Sequence, residues 1–332
     1  MKCRLKRPRI YYAFLITVVT LSLCIHFLVP PTRKPEKILS SFEFYKLLVD
    51  KYGPFRILDE ICVEENCYVV RDALANPLIM KPFERQLLQT KPPGIRAIAL
   101  LQAPTVRVAS NTDSSKWMIV RDKVVDGSLD FMMLEAAIMS GGLSLDTNAS
   151  IKVLIVGLGS GTLANFIHFR WPSATLIGLE RKVEFARFVL EWFQIYHDYR
   201  LKIYGVVPSE KIAKLAKEGA TFNVVFFNVC SMSYHSIPCP SIEDLSEATI
   251  ERVAEMIGHT GAFVINLMTN GVDATAVYEQ QKHRLERHFN CILLKSKATY
   301  NSVLSCSKRM LNINRTYEIN KFLRQLTTIS MG

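Results

Sequence analysis

Two rhythms of apolar residues divide the chain. From residue 151 onward, short apolar runs alternate with stretches of helical period. Runs at 151–156, 174–179, 201–204, 222–227 and 262–267 read as strands. Segments 162–169, 183–196, 209–218, 242–257 and 273–288 read as the helices that follow them. Apolar strands separated by helices of this length imply a parallel sheet covered on both faces. Two further runs, 291–294 and 302–306, read as a closing antiparallel hairpin. Before residue 151 the rhythm is shorter. Residues 42–49 predict a helix, 55–62 with 67–71 a hairpin, and 96–101, 106–109 and 117–120 short strands among Pro- and Asn-rich turns. Residues 129–139 predict an apolar helix that stops at Gly141-Gly142.

One run fits neither rhythm. Residues 10–29 carry no formal charge, and as a helix at ~1.5 Å per residue they span about 30 Å, one hydrocarbon thickness. Pro30-Pro31 ends the run. It is longer than the apolar region of a cleaved signal peptide, and no small-x-small site follows, so an uncleaved signal anchor is expected. Lys2, Arg4, Lys6, Arg7 and Arg9 precede it; Arg33, Lys34 and Lys37 follow, opposed by Glu36. The excess on the N-terminal side predicts a cytoplasmic N-terminus, with the body lumenal (ER or Golgi) or extracellular.

Composition then excludes several classes. With 332 residues, 49% hydrophobic and 21% charged, the chain is neither disordered nor low-complexity. The net charge of +11 sits at the ends: residues 1–40 carry +7 and residues 308–332 carry +4, while residues 41–307 hold 28 charges of each sign. The folded body therefore offers no net cationic field, and no nucleic acid is expected as a partner.

Two weak features agree with a lumenal body. Asn148-Ala149-Ser150 and Asn314-Arg315-Thr316 are glycosylation sequons. Six cysteines lie in the body as three local pairs, Cys62 with Cys67, Cys230 with Cys239, and Cys291 with Cys306. Six cysteines allow 15 pairings. Each local pair fits a turn, and at least one disulfide is expected. With the cysteines so paired, no Cys/His spacing matches a zinc site, and no metal is expected. His197 and His235 read as solvated loop residues.

The sharpest motif is Gly157-Leu158-Gly159-Ser160-Gly161-Thr162, at the end of an apolar strand and the start of a helix. Glycines there let the chain turn tightly and approach a ligand with no Cβ between. Glu180 follows at the end of the next strand, where a carboxylate can accept hydrogen bonds from ribose hydroxyls. The third glycine is at 161 rather than 162, giving G-x-G-x-G. That spacing suits S-adenosylmethionine, which has no pyrophosphate to cradle.

With its closing hairpin, the pattern resembles the class I methyltransferase family. Ile155 two residues before the first glycine, and Asp126-Gly127 ahead of Leu129-Asp130-Phe131-Met132-Met133-Leu134-Glu135, resemble its spermidine-synthase-like branch. Residues 151–307 look most like the C-terminal domain of the methyltransferases that modify a translation elongation factor, on Glu191-Trp192-Phe193, Cys239-Pro240 and the run Gly261-Ala262-Phe263-Val264-Ile265-Asn266-Leu267. The resemblance implies an α/β class I methyltransferase (Rossmann-like) sheet with an antiparallel C-terminal hairpin, preceded by a small β-rich domain; the apolar run at 10–29 adds a transmembrane helix before it. The expected parts are a cytoplasmic tail (1–9), the anchor (10–29), a stem (30–40), the β-rich domain (41–145), the methyltransferase-like domain (146–308) and a basic tail (309–332). It also implies S-adenosylmethionine as cofactor, held by Gly157, Gly159, Gly161 and Glu180. Asn228 is the catalytic candidate. Expected partners are the membrane, a protein or small-molecule methyl acceptor, and a second copy of the chain.

The sequence departs from the family at three places. Val207 stands where the branch has an Asp for the adenine amino group, and an unpaired amine costs ~1–3 kcal/mol of affinity. Asn228 stands where polyamine synthases have an Asp that helps to deprotonate the attacking amine, and a carboxamide does not titrate near neutral pH. Met133 and Leu134 replace a Tyr and a His of the polyamine site, leaving Glu135 alone. Polyamine synthesis is thereby disfavoured. Two readings stay open: a membrane-anchored methyltransferase, or a methyltransferase-fold pseudoenzyme acting as a lumenal binding module.

Overall fold

The computed structural model describes residues 35–74, 83–91, 93–231, 237–269, 273–295, 301–310 and 316–327. The anchor at 10–29 and the sequon at Asn314 lie outside these residues. Among the described residues, no helix is long and apolar enough to cross a membrane.

Helix α1 (Ser41–Tyr52) opens the described fold. Ser40 and Glu43 form a reciprocal capping box at its start, and Phe44 and Leu48 bury one face. Five antiparallel strands follow in sequential order: β1 (Phe55–Val63), β2 (Asn66–Leu74), β3 (Phe83–Thr90), β4 (Pro93–Gln102) and β5 (Met118–Ile119). Strand β3 is not anticipated above, and its composition explains why. Glu84, Arg85, Gln86 and Gln89 are all buried, so the strand shows no apolar–polar alternation. Arg85 forks onto both carboxylate oxygens of Asp72 at 2.8 and 3.0 Å, and also donates to the carbonyls of Trp192 and Ser114. The strand predicted at 106–109 is absent; a single-turn helix, Ala109–Thr112, begins there instead. The Thr112 hydroxyl donates to the Ala109 carbonyl, a local turn that competes with strand pairing.

Helix α2 (Leu129–Met139), capped by Ser128, leads into the second sheet. That sheet contains β6 (Lys152–Val156), β7 (Thr175–Glu180), β8 (Leu201–Gly205), β9 (Phe222–Phe227), β10 (Ile257–Met268), β11 (Asn290–Lys295) and β12 (Asn301–Ser307). Helices α3 (Thr162–Arg170), α4 (Val183–Trp192), α5 (Pro208–Lys217), α6 (Glu247–Met256) and α7 (Ala274–Leu285) connect the strands. The spatial order is β11-β12-β10-β9-β6-β7-β8. Strands β6 to β10 are parallel, and β12 runs antiparallel to both β10 and β11. The Cys291–Cys306 disulfide joins paired residues of the closing hairpin; Cys62–Cys67 and Cys230–Cys239 are also bonded.

Strand periodicity explains the two-sided burial. Val153, Ile155, Val224, Phe226 and Val264 join one core, while Leu154, Val156, Val225, Phe227 and Phe263 join another across the sheet. The first core continues into Phe44, Leu87 and Trp117, so the two sheets share it. The segment expected as a basic tail (309–332) also contains a packed element. Helix α8 (Tyr317–Leu326), capped by Thr316, buries Phe322, Leu323 and Leu326. Phe322 lies 6.1 Å, ring to ring, from the buried Trp171. Its apolar positions have helical spacing, but its charge dominates a reading by composition.

Candidate functional site

Strand order reverses at β6, with β7 and β8 on one side and β9 and β10 on the other. The carboxyl ends of strands at such a point open a crevice. Here it is a small cleft, lined among others by Arg96, Asp130, Gly157, Gly159, Ser160 and Asn228.

Gly157, Gly159 and Gly161 all have positive φ, at 83°, 57° and 76°. Their surroundings differ. A Cβ on Gly157 would lie 2.5 Å from the Asn228 carbonyl oxygen, so backbone packing excludes it. One on Gly161 would overlap the Ile195 side chain at 1.8 Å. One on Gly159 would meet only the Asn228 Nδ2, at 3.4 Å. Of the three, Gly159 alone could carry a Cβ without overlap.

Glu180 closes β7 and braces the turn. Its Oε2 accepts from the Leu158 N–H at 3.2 Å and its Oε1 from the Lys182 N–H at 3.3 Å. Burial pushes its pKa up, opposed by backbone N–H groups of Lys182, Leu158 and Arg181. A carboxylate has about four acceptor sites, so capacity remains for a ligand hydroxyl. Beside it, Lys182 pairs with Glu64 in the β1–β2 turn, which brings the first sheet over this end of the cleft.

At the end of β9, the Asn228 N–H donates to the Val156 carbonyl at 2.7 Å. Its Oδ1 accepts from Nδ2 of Asn266, on β10, at 2.8 Å. Asn266 is 2% exposed, and its buried Oδ1 has no partner among the described residues. Sequence reasoning quotes Asn266 only as part of an apolar run; a lone carboxamide in a fully buried strand is the signal it leaves unused.

Two more residues enter from outside the second sheet. Asp130, on α2, accepts a hydrogen bond from the Thr162 hydroxyl, which is paired with Ser160 Oγ at 2.8 Å. Burial pushes the Asp130 carboxyl up to about 6, with the Thr162 hydrogen bond opposing. Arg96, on β4, donates to Gln89 Oε1 at 2.7 Å and to Met268 Sδ at 3.1 Å. Neither is legible as a site residue, because each reaches the turn across the fold.

Other predicted residues are not brought in. Val207 is the N-cap of α5 and supplies no side-chain acceptor, while Glu210 is exposed on the first turn of that helix. His197 is exposed, and His235 lies outside the described residues. Among the described residues, the cluster with metal-ligand spacing is Glu60, Cys62 and Cys67, whose cysteines are joined in a disulfide.

The strand order, the antiparallel closing strand and the glycine turn after β6 define the class I methyltransferase fold. The five-stranded antiparallel sheet precedes it. A crystal structure of a probable spermidine synthase from Corynebacterium glutamicum is similar over 81% of this chain and 86% of its own, with a TM-score of 0.57 and 13% identity. That of human methyltransferase-like protein 13 in complex with SAH is similar over 59% of this chain and 89% of its own, with a TM-score of 0.52 and 20% identity. By sequence, the mouse eEF1A lysine and N-terminal methyltransferase is 26% identical over 142 residues, 40% of this chain. That match spans 20% of the relative's length. No profile of a known protein family matches the chain. These likenesses are to the family that the glycine turn and closing hairpin resemble.

Proposed function

We propose that the chain binds S-adenosylmethionine and transfers its methyl group to an acceptor amine or hydroxyl, from a body anchored by residues 10–29 on the lumenal or outer face of a membrane. The observation that carries this reading is Gly159: its left-handed backbone lines the cleft with Asn228, and it is the one glycine of the turn whose added Cβ would overlap nothing. The donors fit an adenosine-bearing ligand. Glu180 retains acceptor capacity for ribose hydroxyls, and the glycine turn leaves room for close approach. The bound cofactor supplies an activated methyl on a sulfonium, so positioning of the acceptor does much of the work. Asn266 Oδ1, buried and without a partner among the described residues, is a spare acceptor beside Asn228. Asn228 orients Asn266 through their amide pair and removes no proton. An amine on a protein is the acceptor class in keeping with relatives named for lysine and N-terminal methylation.

A second reading, a pseudoenzyme that binds a partner, is favoured by Val207 and by the absence of a titratable group at Asn228. Incubation of the full chain with methyl-labelled cofactor and lumenal proteins separates the two. Label transfer that Gly159→Val abolishes supports the enzyme; cofactor binding without any label transfer supports the pseudoenzyme. Topology is tested at Asn148, which is exposed in a turn. A glycosidase-sensitive mass shift there supports a lumenal body, and proteolysis of the body in sealed microsomes contradicts it.

A further inference from the structure

The three disulfides differ in what else holds the residues they join. Cys291 and Cys306 face each other inside the β11–β12 ladder, and Cys62 and Cys67 inside the β1–β2 ladder. Cys230 and Cys239 lie outside the named strands, in the connection that follows β9. Two backbone bonds flank their link, from the Ser231 N–H to the Pro238 carbonyl at 2.6 Å and from the Ser241 N–H to the Val229 carbonyl at 2.8 Å. This link reaches the cleft. Asn266 Nδ2 donates to Asn228 Oδ1 at 2.8 Å and to Cys230 Sγ, a weak acceptor, at 3.8 Å. Both N–H groups of that amide are thereby directed, which leaves its Oδ1 as the spare end. Asn228 in turn neighbours Gly159, where an added Cβ would lie 3.4 Å from Asn228 Nδ2. On the other arm of the link, the Cys239 carbonyl accepts from the Met268 N–H at 3.0 Å, and Met268 Sδ accepts from Arg96 Nη1 at 3.1 Å. Two residues that line the cleft, Asn228 and Arg96, are thus each one residue away from the disulfide.

We propose that the Cys230–Cys239 disulfide is a redox-sensitive tether that positions the Asn228–Asn266 amide pair, so that handling of the methyl acceptor needs the oxidised bond while nucleoside binding at the glycine turn does not. The inference rests on the proposed function and deepens it, by tying one side of the site to an oxidising compartment. The glycine turn is held by its own bonds, from the Leu158 N–H to Glu180 at 3.2 Å and from the Gly157 N–H to the Leu179 carbonyl at 2.9 Å, and neither passes through the link. Cys239 is fully buried and Cys230 half-buried, so a dithiol reductant attacks at Cys230 Sγ. Its thiolate displaces the Cys239 sulfur, its second thiol then releases Cys230, and the reagent leaves as its own disulfide. Two electrons and two protons end on the two cysteine thiols. Cys230 Sγ is then free to turn away from Asn266, and the connection after β9 loses its cross-link.

The test compares four samples of the full chain in detergent: oxidised wild type, wild type treated with a dithiol, Cys230→Ser, and the double variant Cys62→Ser with Cys67→Ser. Hydrogen exchange followed by mass spectrometry reads the tether without any acceptor. Reduction and Cys230→Ser each speed exchange by about 10-fold or more in peptides carrying the Ser241 and Met268 N–H groups, and leave peptides over the glycine turn unchanged. Calorimetry gives S-adenosylhomocysteine affinities within about twofold in all four samples. Transfer of labelled methyl to lumenal proteins falls by about 10- to 100-fold on reduction and in Cys230→Ser, because a displaced positioning group costs rate rather than cofactor binding. Reoxidation restores the wild type, Cys230→Ser no longer responds to the dithiol, and the double variant behaves as oxidised wild type. Unchanged exchange at Ser241 and Met268 overturns the inference alone, as does a parallel loss of cofactor affinity and transfer, or an oxidised wild type that binds cofactor and transfers no label. An oxidised wild type that binds no S-adenosylhomocysteine overturns the proposed function and the inference with it.

Discussion

The glycine turn and the loop after β9 face each other across the cleft, and they are constrained in different ways. At the turn, Gly157 and Gly161 have packing reasons to be glycine: their missing Cβ atoms would meet the Asn228 backbone and Ile195. They would be required in this fold with or without a ligand. Gly159 has no such reason, since only the Asn228 side chain lies near it. Across the cleft, the acids expected after β8 and β9 are Val207 and Asn228, and the buried polar contact is an amide pair, Asn228 with Asn266. One side carries the glycine turn and the Glu180 carboxylate; the other presents neutral side chains at Val207 and Asn228. A glycine motif is therefore weak evidence of binding by itself. The glycine that packing does not require is the informative one.

The comparison is broken most severely at Gly157. Gly157→Ala places a Cβ within 2.5 Å of backbone at a φ of 83°, so urea unfolding is expected to show a loss of about 2–4 kcal/mol. Gly159→Ala pays only the conformational term, about 1 kcal/mol. Equal losses at the two positions contradict the distinction.

Asp130 tests the burial of the cleft. Its carboxyl is raised from 3.8 to about 6, so the folded chain holds this proton more tightly than the unfolded one. That favours folding at low pH, and the contribution is lost as pH rises from about 4 to 6. At 1.36 kcal/mol per pKa unit the loss is about 2–3 kcal/mol. Asp130→Asn is expected to be more stable than wild type at pH 7 and to flatten the stability profile between pH 4 and 6. A profile unchanged by the substitution contradicts a raised Asp130.

The two sides of the cleft are compared directly in binding. Glu180→Ala removes the ribose acceptor and is expected to weaken S-adenosylhomocysteine by about 10- to 150-fold. Val207→Asp is expected to act in the opposite direction, tightening binding by about 10-fold through an acceptor for the adenine amine. A Val207→Asp variant with weaker binding than wild type places the adenine elsewhere.

How much of this was legible follows from where the information lies along the chain. The second sheet is readable because each strand is a short apolar run buried on both faces, and each connection has helical period. The closing hairpin is readable for the same reason. Strand β3 is not, because Arg85 and its polar neighbours are buried through partners distant in sequence, such as Asp72 and Trp192. The short strand expected at 106–109 gives way to a turn held by the Thr112 hydroxyl. Around the glycine turn, Gly159, Glu180 and Asn228 are readable because they sit at strand ends in a local pattern. Arg96, Asp130 and Asn266 are not, since only the packing of the first sheet, α2 and β10 around the turn brings them together.

The most direct measurement is calorimetric titration of S-adenosylhomocysteine into the full chain and into Gly159→Val, with the unfolding of both followed in parallel. The expected result is saturable binding by the wild type and loss of more than about 100-fold in the variant, where a branched side chain projects into the cleft, with both proteins folded. Binding that survives Gly159→Val unchanged, or a folded wild type that takes up no ligand, would contradict a nucleoside site at this turn.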